Sequence, residues 1–368
     1  MVRVHIDELQ EGCILAEDVF SKTSRPIVGK QTVLTKELID VLKAFVVKEA
    51  EVEKTLVTGM PFIPVTVIQE KEKDADKDTD KEELNFVDLF LRAKKSFEKE
   101  FFSWQSGLPV DISAIRSLLL PLMDMLEKDS SNIFRLHHFS TNDDYLFHHS
   151  LAVGILSGYI ARKMNYSKGD TIQVGLAGSL ADCGMAKVSS RLLNKRTTLS
   201  VEDYEEIKKH PTYSYQMVRN SPLLKDSAKI AIIQHHERLN GSGYPFGEKD
   251  ARIHAFSKII AVADAYHAMT SDRTFKSRLS PFRVLEIINE DHFGEFDICA
   301  VKALNSALLN YTTGSIVRLS DGQEAEILFV EEKSPARPLV KLSETNTILS
   351  LEKNRHLFIE DIIYQAGH

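Results

Sequence analysis

The large apolar side chains Phe86, Phe90, Phe97, Phe101 and Trp104 recur at helical spacing, and from residue 84 to about 310 the chain keeps a helix-like pattern. This predicts a mainly α protein with an all-helical unit over 84–310. The aromatic stripe reads as core, with a coiled-coil or dimer surface as the alternative. Residues 1–68 instead alternate short β-like runs such as VFSKTSRPIV with a predicted helix, TKELIDVLKAF, where Thr35 can cap and Leu38, Leu42 and Phe45 share a face. A small α+β module is expected there. Beyond residue 311 the period shifts again. SIVRL, the turn pair Asp321 and Gly322, EAEILFV and RPLVKL read as strands and a hairpin, predicting a small β-rich module over 311–368.

Residues 69–83, QEKEKDADKDTDKEE, hold twelve charged side chains in fifteen positions with only Ala75 apolar, too little to offset chain entropy by burial. They read as a charged flexible linker. With 368 residues, 43% of them hydrophobic, the chain has room for one sizeable core and smaller modules. The net charge of −7 argues against polynucleotide binding through a basic surface, though a small anion needs only a local cluster of lysine and arginine. No apolar run approaches the ~18 residues of a membrane span, and MVRVHIDELQ lacks a leader-type apolar segment, so membrane anchoring is not expected. Cys13, Cys183 and Cys299 are odd in number and far apart, which suggests neither a disulfide framework nor a thiolate zinc site; a reducing, cytoplasmic location fits.

The chemistry gathers in the helical unit. In HHERLNGSGYP, His235 and His236 end the apolar stretch DSAKIAIIQHH just where Gly241, Gly243 and Pro245 begin a turning loop. Imidazoles leaving a rigid element beside a cleft suit metal ligation, whereas an isolated pair would simply cap a helix C-terminus. His149 shares a helical face with Val153, Leu156 and Ile160, as a core histidine would. His210 before Pro211 reads by itself as a helix N-cap with proline at the first helical position. Asp182 follows the apolar VGLAGSLA, and Asp264 shares a face with Ile260 and Ala268; buried carboxylates need a cation or a metal nearby. Each residue alone has an ordinary explanation. Four imidazoles and two carboxylates from five separate elements of one helical unit together point to a metal centre.

The order His149, Asp182, His210, HHERLNGSGYP and Asp264, with the intervening LLNKRTTLSVEDYEEIKKHP, GYPFG and AVADAYHAMTSDRTFK, resembles the HD-GYP domain over about residues 140–310. That family is the c-di-GMP-hydrolysing branch of the HD phosphohydrolases. The resemblance implies a helical bundle and one or two divalent transition metals, iron or manganese first, zinc or nickel also accommodated. It places one metal on His149, Asp182 and Asp264 and a second on Asp182, His210, His235 and His236, with Asp182 bridging as the catalytic carboxylate. Such a pair, roughly 3.5–4 Å apart, generates hydroxide and clamps a phosphodiester. Gly241, Gly243, Tyr244 and Pro245 would touch the cyclic dinucleotide, with a structural turn and a packed aromatic as the alternative; Lys195, Arg273, Lys276 and Arg278 are candidate phosphate partners that read more readily as solvated surface charges.

The departures from the family are specific. Ala181 stands where the family has the histidine of its HD pair, Met185 where it has a lysine, and Asn240 where it has a loop aspartate. Alanine cannot ligate and methionine cannot hold a phosphate oxygen. Asp144 and Lys187 are the nearby candidates to compensate. The expected function is therefore a c-di-GMP phosphodiesterase of weakened activity, yielding a linear dinucleotide or GMP. The alternative is a non-catalytic module that binds the nucleotide, a signalling protein or a second copy of itself. A different HD nucleotide hydrolase would leave the GYP loop unexplained.

Overall fold

Alternating and helical segments fold largely where their periodicity places them. The computed structural model describes residues 1–20, 26–44, 47–64, 85–136, 144–193, 195, 197–271, 279–290, 294–308, 313–331, 334 and 336–364. The 69–83 linker, Phe45, Arg273, Lys276 and Arg278 lie outside them. In the N-terminal part, β1 (Val2–His5), β2 (Val19–Phe20), β3 (Pro26–Val28), α1 (Lys36–Ala44) and β4 (Glu49–Val52) form two short antiparallel pairs, β1 with β4 and β2 with β3. Thr35 caps α1, its hydroxyl accepting from the Leu38 amide at 3.4 Å. Val4, Leu15, Leu34, Leu42 and Val52 meet in a small core of its own.

The helical unit follows as α2 (Phe86–Gln105), α3 (Ile112–Lys128), α4 (Tyr145–Lys163), α5 (Lys168–Leu180), α6 (Ser190–Leu193), α7 (Val201–Ile207), α8 (His210–Val218), α9 (Asp226–Gln234), α10 (Ala255–Thr270), α11 (Pro281–Glu290) and α12 (Ile298–Leu308). Asn85 and Asp111 cap α2 and α3 through side-chain oxygens. The whole aromatic stripe of α2, from Phe86 to Trp104, is buried inside this chain, so it is core and not a free dimer surface. Each such side chain contributes about 2 kcal/mol of transfer free energy. Helices α4 and α5 are apolar nearly all round and lie at the centre, which is what such helices must do.

The last segment forms one antiparallel sheet from β5 (Ile316–Leu319), β6 (Glu324–Phe329), β7 (Leu339–Leu342), β8 (Ile348–Ser350) and β9 (Ile359–Tyr364), in the order β8-β7-β6-β5-β9. The Asp321–Gly322 hairpin forms as read, with Gly322 at φ 84°.

Both flanking parts grip the helices. Ile14 and Val57 pack on Val87 and Leu91 of α2. The buried Lys94 ammonium donates to the Val57 carbonyl and to Asp144 before α4, at 2.6 Å each. At the other end Phe282 of α11 enters the sheet's core, and buried Arg337 pairs with Glu286 at 2.8 Å. Among the described residues no helix is long and apolar enough to cross a membrane.

Candidate metal centre

Five elements converge on one buried spot. His149 comes from α4, Asp182 from the turn after α5, His210 from the first position of α8, His235 and His236 from the end of α9, and Asp264 from α10. The N-cap of α8 is Lys209, so His210 lies one residue further into the helix than the His-Pro pair alone predicts. The turn carrying Asp182 is held against α8 by Ser214, whose hydroxyl donates to the Ala181 carbonyl at 2.6 Å and accepts from the Gly184 amide at 2.7 Å. Gly184 is obligatory there, since a Cβ would lie 2.2 Å from the His210 carbonyl oxygen. Gln234 ties α9 to α10, its amide oxygen accepting from the His254 amide and the Ser257 hydroxyl.

Asp182 occupies the middle. One oxygen lies 3.0 Å from His210 Nε2 and 3.6 Å from His235 Nε2, the other 3.5 Å from His149 Nε2. Asp264 completes the ring, 3.0 Å from His149 Nε2 and 3.5 Å from His236 Nδ1. One donor atom each from Asp182, His210, His235 and His236 falls within a 4.8 Å group able to hold an ion.

The tautomers suit ligation. His210 Nδ1–H donates to the Ile207 carbonyl at 2.8 Å and His235 Nδ1–H to Ile232 at 2.7 Å, leaving both Nε2 lone pairs free for a cation. Burial alone raises the Asp182 carboxyl, but its neighbours His210 and His235 outweigh that and hold the group well below the usual carboxylate range. Asp264 is likewise pulled down against its burial by His236 and His149. Burial, then neighbouring His235, drives His236 well below an ordinary imidazole and keeps it neutral. Ionised carboxylates beside imidazoles are a donor set that suits a divalent transition metal.

Residues 124–297 match the family model described as HD domain. Over that stretch the chain is similar to HD domains, in line with its sequence resemblance to the HD-GYP type. It is 28% identical over 254 residues to a cyclic di-GMP phosphodiesterase of Pseudomonas aeruginosa, covering 69% of this chain and 61% of that protein. It is 40% identical over 131 residues to a cyclic di-GMP phosphodiesterase of Thermotoga maritima, 35% of each chain, and 30% identical over 164 residues to a 3'3'-cGAMP-specific phosphodiesterase of Vibrio cholerae, 45% of this chain and 35% of that one. The chain thus spans less than two thirds of the length of these relatives. A solved HD-GYP protein from Bdellovibrio bacteriovorus shares the fold, with TM-score 0.51 and 16% identity over 83% of this chain and 99% of that one.

Within this HD-like stretch, the six ligand candidates read from sequence come together. Ala181 is 3% exposed, and among the described residues no imidazole takes its place at the carboxylates. The extra histidines His148 and His267 lie on the other side of His149: His267 Nδ1 is 2.9 Å from His149 Nδ1, and the His148 ring is 5.1 Å from that of His267. Neither expected compensator reaches the centre, for Asp144 pairs with Lys94 and Lys187 donates to the Trp104 carbonyl at 3.5 Å. Lys195 pairs with Asp203. In the GYP loop, Tyr244 lies on His236 with ring centroids 4.6 Å apart. Gly241 turns at φ 85°, and Gly243 passes so close to the His236 carbonyl that a Cβ would sit at 2.4 Å. Asn240 bonds Ser242 within the loop.

Sequence reasoning missed the residues that hold this arrangement. Buried Glu237 accepts from the Phe246 and Glu248 amides at 2.8 and 2.9 Å and so pins the loop beneath the histidines. His267, Ser214, Gln234 and Tyr145, which stacks on His149 at 5.1 Å, were equally invisible. A carboxylate directly after HH, followed by a loop needing its amides satisfied, was the one available signal.

Proposed function

We propose that this chain is a metal-dependent phosphodiesterase that opens a cyclic dinucleotide, c-di-GMP first, to a linear dinucleotide or GMP. The observation that carries the reading is Asp182, whose two oxygens face different halves of a ring of imidazoles and a second carboxylate. His210, His235, His236 and Asp182 would hold the more secure metal, and His149, Asp264 and Asp182 a second. Bound there, such ions supply Lewis acidity toward a phosphoryl oxygen and lower the pKa of water. The protein's own contribution is positional. Carbonyl hydrogen bonds orient His210 and His235, Ser214 sets Asp182, Glu237 shapes the loop, and Tyr244 roofs His236 against solvent. Its relatives named for cyclic di-GMP and 3'3'-cGAMP hydrolysis support this substrate class. We place the three units at 1–68, 84–310 and 311–368, with the ligands all in the second.

Turnover should be weak, because the buried Ala181 leaves the first centre a ligand short and Met185 brings no charge to the phosphate. Ala181→His with Met185→Lys should raise c-di-GMP turnover at least tenfold, roughly, while changing affinity far less, since the added ligand and cation act mainly on charge developing in the transition state. Metal content of chelator-free protein and turnover of the same sample test this. Less than about a tenth of an equivalent of metal after manganese or iron reconstitution defeats the metal reading. Wild-type turnover on the order of 1 s⁻¹ or faster defeats the weakened-site reading. The same Ala181 burial favours a second reading, in which the domain binds the dinucleotide or a protein partner without cleaving it.

A further inference from the structure

The rim of the centre contains a cation with no place in the scheme above. Lys208, just after α7, puts its ammonium 4.8 Å from the ring centroid of Tyr204 and 5.8 Å from that of Tyr244. Tyr244 is the ring that lies on His236, so this ammonium sits one aromatic layer from the metal ligands. Tyr204 is 50% exposed, an aromatic face left open beside the centre. Glu205 holds the ammonium at 2.8 Å from its own exposed carboxylate. Among the described residues, Lys187 is engaged by the Trp104 carbonyl, Lys195 by Asp203, Lys209 by Glu206, and Arg238 by the His235 and Glu237 carbonyls and the face of Phe296.

A cation lodged between two aromatic rings, one open to solvent, matches a ligand that offers a phosphate next to a flat base. The ammonium meets the phosphate as a point charge, and the open ring stacks the base without reading its edges. Resting on the phosphodiesterase reading, we propose that Lys208 is a phosphate-binding cation, standing in for the charge that Met185 cannot supply, and that Tyr204 stacks one nucleobase of the dinucleotide. Glu205 is then a competitor that the phosphate displaces. An exposed ion pair costs little to exchange for a phosphate contact.

That competition separates a binding role from a structural one. Calorimetric titration of the manganese-loaded full chain with the hydrolysis-resistant bisphosphorothioate of c-di-GMP provides the test. Lys208→Gln and Tyr204→Leu should each weaken binding about tenfold, Tyr204→Phe should bind as wild type, and Lys208→Gln should flatten the salt dependence. Glu205→Gln should tighten binding about threefold, whereas a Lys208 that merely anchored α7 would be loosened by the same change. If wild type binds and both Lys208→Gln and Tyr204→Leu stay within twofold of it, or Glu205→Gln weakens binding, the subsite is wrong and the phosphodiesterase reading stands. If wild type with full metal content does not bind the analogue at all, both fall together.

Discussion

His267 shows how one side chain can bear on a candidate ligand it stands behind. For His149 to present a lone pair at Nε2, between Asp264 and Asp182, its Nδ1 must carry the proton, and the atoms placed to accept it are His267 Nδ1 at 2.9 Å and the Tyr145 hydroxyl oxygen at 3.1 Å. To accept it, His267 must be protonated at Nε2, which lies 3.4 Å from the Ser271 hydroxyl. A ligand histidine is most often oriented by a carboxylate or carbonyl; here an imidazole and a phenol hydroxyl stand at that position, and donating to them would leave His149 a less basic ligand. His267→Ala should loosen metal at the His149 side by about tenfold, with His267→Asn or His267→Asp restoring it, as read from metal retained under a graded chelator series. An unchanged retention curve would remove His267 from this role.

At the scale of the element, α10 carries Asp264 and begins on an unusual cap. His254 Nδ1 accepts from the Phe256 amide at 3.1 Å, which only the unprotonated ring can do. Burial lowers the His254 pKa below its ordinary value of 6.5, and a cation at a helix N-terminus would also oppose the dipole. The folded form thus resists a proton that the unfolded chain accepts. This contribution to stability is full above about pH 6.5 and is lost as pH falls below it. Urea midpoints at pH 7.5 and 5.5 should therefore differ more for wild type than for His254→Asn, which keeps a capping oxygen that does not titrate. Equal differences would mean that the cap bears no part of the acid sensitivity.

At the scale of the whole molecule, the flanking parts are fastened by buried ion pairs to helices that lead to the centre. Lys94 links the Val57 carbonyl of the N-terminal part to Asp144, immediately before the helix of His149, and Arg337 links the C-terminal sheet to α11. Removing one member of a buried pair costs about 3 kcal/mol because the other is left uncompensated, whereas replacing both with apolar groups is nearly neutral. Lys94→Met should lower the denaturant midpoint accordingly, and Lys94→Met with Asp144→Leu should recover most of the loss. A double variant no better than the single one would show that Lys94 acts through the Val57 carbonyl instead. Detaching residues 1–68 would also expose Val87, Leu91 and the Lys94 ammonium, so such a truncation is expected to weaken the helical unit as well as shorten the chain.

What the sequence determined by itself was everything written in local periodicity or in residue type. The helical stretch, the alternating tail and its Asp321–Gly322 turn, and the core status of Phe90 and Trp104 were legible because burial imposes a period on apolar residues, and the six candidate ligands from His149 to Asp264 could be named because few residue types ligate metal. Tertiary structure decided which oxygens and nitrogens face one another. That Asp182 stands between His210 and His149, that Asp144 and Lys187 are engaged away from the centre, that Glu237 holds the loop and that His267 backs His149 depend on contacts between residues far apart in the chain. Such contacts leave no period in the sequence. Each is set by close packing of particular helices, as where Gly184 lets the Asp182 turn touch α8, and not by the preference of any one residue.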